Sequence, residues 1–397
     1  MRSTLVIIPK FMWNYVIEYL SIATILSNPL IADMITNDGW KNIFHKNKSS
    51  NITIIVSDCD TINDWKYACQ TLIACDTIEE MHNIIKKTIY SKKFTYYKIF
   101  IGPGEYAGID DEDDEYCNNR NTNTNNCDEY TNNKDDDNEI VRYDIDNDST
   151  ITLPYYCYDI PYSIELIGSD AKSTIIANAR CVFRVSKYLR IKNITFTNNG
   201  YIFRRYVYYN SDKFVNDDKY TICISNCTFV KSCIQAESFN NISITQCKCD
   251  NGEVIIDYNP LEHARYPLNG IIDKNVFDNF EICVYNIKSM SLSQLVVANN
   301  TFVNSNTLVD YCREPSMMVL FTNNFIADIV SCVSNVKYSK VKFMDNTFTN
   351  VSKLLQCNCN NQANCKCKPN NVTLDINNQF INCGIELTKY IEDKIKK

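Results

Sequence analysis

Histidine is almost absent from this chain: His45, His82 and His263 are the only three in 397 residues. They lie far apart in the sequence, and none stands in a catalytic motif, which argues against histidine-centred acid–base or nucleophilic chemistry. Arginine is scarce too, ten residues against thirty lysines, a bias of codon usage in an AT-rich genome rather than of mechanism. No stretch approaches the roughly 18 uninterrupted apolar residues that a membrane span needs. A convincing secretory leader is also missing, because Lys10 and Glu18 break the apolar N-terminal runs and no small-residue cleavage site follows them. The 20 cysteines are therefore expected to be mostly buried, reduced thiols of an intracellular, cytoplasmic protein. Charge is unevenly spread: residues 110–148 hold 15 of the acidic residues against Arg120, Lys134 and Arg142, while the whole chain carries only -7. The remainder is mildly basic, too weakly so to imply nucleic-acid binding.

What the chain does have is a repeat. Eight times a few alternating apolar residues lead into Asn or a similar polar residue, then an aromatic or Cys, then Asn or Asp. The phrase reads NITFTNN at Asn193, NCTFVKS at Asn226, NNTFVNS at Asn299 and DNTFTNV at Asp345. Its anchors are Phe196, Phe229, Cys249, Phe277, Phe302, Phe325, Phe348 and Phe380, spaced by 20 to 33 residues. That period marks a solenoid. Each unit reads as two or three strands of about four to six residues, with β-branched and aromatic side chains stacked inward. Asn suits left-handed corners and can ladder its amide with the Asn one coil above.

The rest of the chain is organised around this solenoid. Residues 1–45 read as a separate helical module. Ile8-Pro9 opens it, Met12, Val16, Ile17 and Leu20 recur at helical spacing, Ile25 and Leu26 begin a second apolar patch, and Trp40, Ile43 and Phe44 close a third. Three short helices cannot bury these faces alone, so a partner chain or neighbouring domain is expected. Residues 46–75 read as a connector, with Ile52–Val56 as a candidate strand. Thr77 and Glu80 form a capping box for a helix to Tyr90, expected to lie across the open end of the solenoid. The β domain spans 76–397, interrupted by a solvated, disordered insertion at 108–149. Glu386–Lys397 is a candidate amphipathic end cap.

Two resemblances follow from these residues. KIFIGPGEY at Lys98, IELIGSD at Ile164, STIIANA at Ser173 and LRIKNITFTNN at Leu189 resemble right-handed parallel β-helix proteins of the pectin-lyase-like superfamily. The N-terminus resembles an F-box, with Ile8-Pro9 for the opening Leu-Pro, then Met12, Val16, Ile17, Leu20, Ile25, Leu26 and the late Trp40. It departs from the pattern at Trp13 and in some five extra residues before Trp40. The first resemblance implies a mainly β fold: a right-handed β-helix behind a small helical head. The second implies that these nine residues bind a Skp-family adaptor, coupling a substrate-binding β-helix to a cullin ubiquitin ligase. The expected mechanism is scaffolding, without enzyme activity. The alternatives are a carbohydrate-binding or polysaccharide-degrading β-helix, and a structural or attachment protein of a virus particle.

Local clusters add little chemistry. Asp273, Asp278, Asp345 and Asp375 sit in the corner pattern and form no recurring pair of the kind a glycosidase needs. Arg204-Arg205 with Tyr201, Tyr206, Tyr208 and Tyr209 reads as a loop packed on the side of the solenoid. Cys357, Cys359, Cys365 and Cys367 form a CxC-x5-CxC cluster that could hold zinc through four thiolates, although zinc pairs usually have two or more intervening residues. Free thiols or disulfides are the competing reading. No other cofactor is expected.

Overall fold

The computed structural model describes residues 22–27, 32–33, 35–47, 52–57, 65–70, 72–77, 80–81, 84, 96–107, 163–177, 183–184, 188–197, 203–204, 221–237, 239–257, 268–285, 293–311, 317–334, 340–356, 372–375 and 377–384. The architecture is mainly β, in long parallel sheets compatible with a β-helix. One wall runs in parallel register from Tyr96–Ile101 to Val372–Leu374. A second runs from Gly104–Ala107 to Gln379–Ile381. A third links short strands from Phe183–Arg184 to Lys353–Gln356. The ten-residue strands Lys248–Asp257 and Val276–Tyr285 bend from the second wall into the third. One continuous apolar core runs through the interior from Ile52 to Val372.

The repeat phrase folds this way because it places three features one after another. A left-handed residue turns the chain out of the first wall at Asn193, Asn226, Gln246, Lys274, Asn299, Asn323 and Asp345, with φ between 53° and 59°. A second left-handed corner follows the second wall at Lys231, Asn251, Asn279, Asn304, Asp328, Asn350 and Asn382. Asn and Asp dominate both series because their short polar side chains tolerate that conformation. Between the corners, the anchor side chain points inward and stacks on its neighbour one rung away. Phe196 and Phe229 lie 5.1 Å apart, Phe277 and Phe302 4.8 Å, and Phe348 and Phe380 5.0 Å.

One anchor differs from the expectation. Phe302 pairs with Ile326, and Ile326 with Phe348, so Ile326 is the inward residue of its rung. Phe325 aligns with Thr301 and Thr347, points outward and is 43% exposed. Asn324 fixes this register. Directly after the first corner, Asn275, Asn300, Asn324, Asn346 and Asn378 are buried in a single column. Each carboxamide oxygen accepts the backbone N–H and the side-chain amide of the residue before it in the column, as in Asn300 to Asn324 at 2.8 and 3.1 Å and Asn324 to Asn346 at 2.9 and 2.9 Å. The remaining amide proton goes to a first-wall carbonyl, Val297 for Asn324 at 2.8 Å. A one-residue slip would pull Asn324 out of this column and leave its neighbours unpaired in the core.

At the N-terminal end, α1 (Ile22–Leu26), α2 (Asn37–Asn47) and α3 (Trp65–Gln70) share an apolar cluster with one face of β1 (Ile52–Ser57). Thr36 caps α2, its hydroxyl accepting the Gly39 N–H at 3.2 Å. The Asn37 carboxamide accepts the Trp65 N–H at 2.8 Å and ties α2 to α3. β1 pairs antiparallel with β2 (Ile73–Cys75) and with β3 (Tyr96–Ile101), which closes the edge of the first wall. The candidate strand at Ile52–Val56 is thus present, and it serves both regions. Ile52 and Ile54 enter the solenoid core, while Ile55 faces the helices. The Thr77 cap forms as the sequence predicts: its hydroxyl accepts the Glu80 N–H at 3.0 Å, and Glu80 accepts the Asp76 N–H at 3.0 Å. Met81, one turn on, is fully buried in the solenoid core.

Candidate functional site

The nine F-box-like positions divide into two groups. Ile8, Pro9, Met12, Val16, Ile17 and Leu20 lie outside the described residues, as do Cys357, Cys359, Cys365 and Cys367 and the insertion at 108–149. Ile25, Leu26 and Trp40 are described, and all three are used inside the chain. Trp40 is 1% exposed and Ile25 fully buried, in a cluster with Ala32, Ile43, Phe44, Ile55, Cys69 and Phe100; Leu26, Trp65 and Ile167 pack against it. Phe44 touches Trp65 and Phe100 at centroid distances of 5.4 and 5.1 Å. Phe100 and Ile167 belong to neighbouring strands of the first wall, on its outer side. The helices therefore pack laterally against the first rungs, and one apolar cluster crosses the expected boundaries at 45 and 75.

Beside this cluster a row of charges crosses three rungs of the same outer face. Lys98, Glu165 and Arg190 are in register. Glu165 is only 8% exposed. Lys98 Nζ lies 3.2 Å from its Oε2, near enough for an ion pair but not aligned as a hydrogen bond, and Arg190 approaches Oε1 at 3.5 Å. Trp65 covers Lys98, 6.0 Å from ring centroid to Nζ. Burial, with Glu165 beside it, pushes the Tyr96 hydroxyl above its ordinary range. Through Lys98 the row meets Trp65 of α3.

The third wall carries a group of carboxylates that the sequence reading did not find. Glu253 and Glu281 are direct neighbours on adjacent rungs, and Asp310 pairs with Cys283, two residues beyond Glu281. Cys233 and Cys283 donate to the two oxygens of Glu253 at 3.4 and 3.2 Å, and Ser334 donates to Asp310. Burial first, then Asp310 and Glu253, push the Glu281 carboxyl up to about 7. A carboxyl that holds its proton near neutrality beside other carboxylates is the type of group that serves as a general acid. The signal was present in the sequence: Glu253 and Glu281 each lie four residues after an anchor, Cys249 and Phe277. It was missed because the corner aspartates drew the search for carboxylates. Those behave as expected of corners: Asp273 and Asp278 accept the Asn299 and Asn304 amides at 2.7 and 2.8 Å.

Glu281 makes stability depend on pH. Its folded-state pKa lies above that of an unfolded glutamate, so the folded state binds the proton more tightly. Stability is therefore expected to fall as pH rises from about 4.5 to about 7 and to stay reduced above that. Glu281→Gln should remove this slope and raise stability at pH 8 by about 1–3 kcal/mol, checked by urea unfolding at pH 5 and pH 8.

Burial disfavours the thiolate at several of the described cysteines. Burial raises Cys227, Cys249 and Cys332, and Cys69 is pushed up to about 11. None of the ten described cysteines is in a disulfide. Among the described residues no three His, Cys, Asp or Glu side chains group as a metal site, and no helix is long and apolar enough to cross a membrane. Of the residues expected in a loop only Arg204 is described, and with Phe203 it forms a short strand of the third wall between Phe183–Arg184 and Ala236–Glu237. No protein family, curated protein or solved structure matches this chain.

Proposed function

We propose that this protein is a non-enzymatic recognition adaptor. On this reading the sheets form a right-handed parallel β-helix of the pectin-lyase-like kind that presents a lateral surface to a substrate protein. The N-terminal F-box-like segment binds a Skp-family adaptor and so a cullin ubiquitin ligase. The observation that carries the reading is the apolar cluster around Trp40, Phe44 and Phe100, which joins the helices to the first wall. A ligase adaptor works by holding two bound proteins at a set separation, and a head packed on a stiff solenoid supplies that constraint. With Ile25 and Trp40 used in the join, the adaptor contact falls to Ile8, Pro9, Met12, Val16, Ile17 and Leu20.

The test is co-purification of the full chain with a Skp-family adaptor. Pro9→Asp with Leu20→Asp is expected to abolish it while leaving the thermal unfolding of the β domain unchanged. Retention of the adaptor at full strength would refute the F-box assignment.

A second reading, a carbohydrate-active β-helix, is favoured by the Glu253, Glu281 and Asp310 group on successive rungs. Binding or cleavage of acidic or neutral polysaccharides, lost in Glu281→Gln, would put it first.

A further inference from the structure

We infer that two copies of this chain associate face to face through the outer surface of the second wall. On each rung that wall presents two outward residues either side of its inward anchor. From Thr301 to Ile381, four consecutive rungs, none of these outward residues is charged. Three of the large hydrophobic residues most exposed in the described structure lie on this wall: Val276 at 44%, Phe325 at 43% and Ile381 at 48%. The other walls are poorly suited to a self-contact. The third carries Glu253, Glu281 and Asp310, and the first ends in Lys340 and Lys342 before its last strand, so each would set like charges together.

The second wall is complementary to itself on three of its rungs, and only the rung of Val276 and Asp278 sets an apolar side chain against a carboxylate. A two-fold axis parallel to the solenoid axis lays each rung on the same rung of the partner copy and reverses the strand direction. The first outward residue of a rung then meets the second outward residue of its copy. Lys248 meets Asp250, and Asp250 meets Lys248. Phe325, the bulkiest side chain on the face, meets Ala327, the smallest. Thr347 meets Thr349, two hydroxyls that can exchange hydrogen bonds. Contacts of this reciprocal form are what an isologous interface requires.

The available area bounds the class of contact. Rungs repeat at about 4.8 Å and five residues span about 16 Å. Eight rungs therefore offer on the order of 600 Å² per copy, or about 1,200 Å² in all, the lower end of specific interfaces. An interface of this size fits a reversible contact rather than an obligate dimer.

The experiment is sedimentation equilibrium of the full chain from about 1 to about 300 µM, a range that spans reversible contacts of this size class. Wild type should pass from monomer to dimer. Phe325→Asp should remove the dimer, with the circular dichroism spectrum unchanged. Lys248→Asp and Asp250→Lys, each creating a like-charge meeting, should weaken association about tenfold, and the double swap should restore it. Leu320→Asp, on the first wall, should leave it unaltered. A wild-type chain monomeric throughout would overturn the proposal. So would a dimer that survives Phe325→Asp, or single charge changes that the double swap does not repair.

Discussion

Replacing Asn324 by Leu is expected to lower the unfolding free energy by about 3–5 kcal/mol, read as a shift in the urea midpoint. The side chain sits in mid-column. Its oxygen takes two donors from Asn300, and its amide reaches Val297 O and Asn346 Oδ1. Leu has similar volume, so the loss is of hydrogen bonds rather than packing. The Asn300 N–H, the Asn300 amide and the Val297 carbonyl would each be left buried without that partner. The neighbouring Asn323 is a control. It is exposed, sits in the left-handed corner with φ 54°, and its side-chain amide donates to the exposed Asn299 Oδ1 at 2.6 Å. Asn323→Ala is expected to cost about 1 kcal/mol. Equal effects at 323 and 324 would mean that the buried column does not set the register.

The second large effect is expected at Trp40. Its ring is buried among Ile25, Phe44 and their neighbours, and its indole N–H has no hydrogen-bond partner among the described residues. Trp40→Ala therefore removes packing alone and should destabilise the chain by about 3–5 kcal/mol. The cluster joins helices to strands, so the loss should fall on the contact of α2 with the first wall. Trp40→Phe keeps most of the apolar area and should recover more than half of the loss.

How much of this was legible in the sequence depended on what each residue pattern encodes. The solenoid could be read because every rung repeats the same steric demands: a left-handed corner, an inward anchor and a second corner. Asn meets the first and third almost uniquely among residues with a side chain, so the phrase survives even where Cys249 replaces Phe. The phrase failed at NNFIADI, where an aromatic occupies the outward position and Ile326 the inward one. Hydrophobicity alone cannot tell those two apart, but the buried Asn column can. The third wall was opaque for a different reason. Glu253 and Glu281 share one spacing from their anchors, but Asp310 lies eight residues after Phe302 and pairs with Cys283, so the three come together only through folding. The N-terminal helices show a third limit. Ile25, Trp40, Ile43 and Phe44 announced faces that must be covered, as they are, but nothing in their spacing said that Phe100 and Ile167 would do the covering. An apolar face specifies that it needs a partner, not which one.

The account rests on the helices and the solenoid moving as one body, and an inter-label distance tests that most directly. Spin labels introduced by a bio-orthogonal, cysteine-independent route at Lys41, exposed on α2, and at Lys353, exposed on the third wall, would report it by double electron–electron resonance. A single narrow distance distribution in the wild-type chain, broadened by Trp40→Ala, is the predicted result. A broad distribution in the wild type, indifferent to Trp40, would contradict a scaffold that holds its head in place.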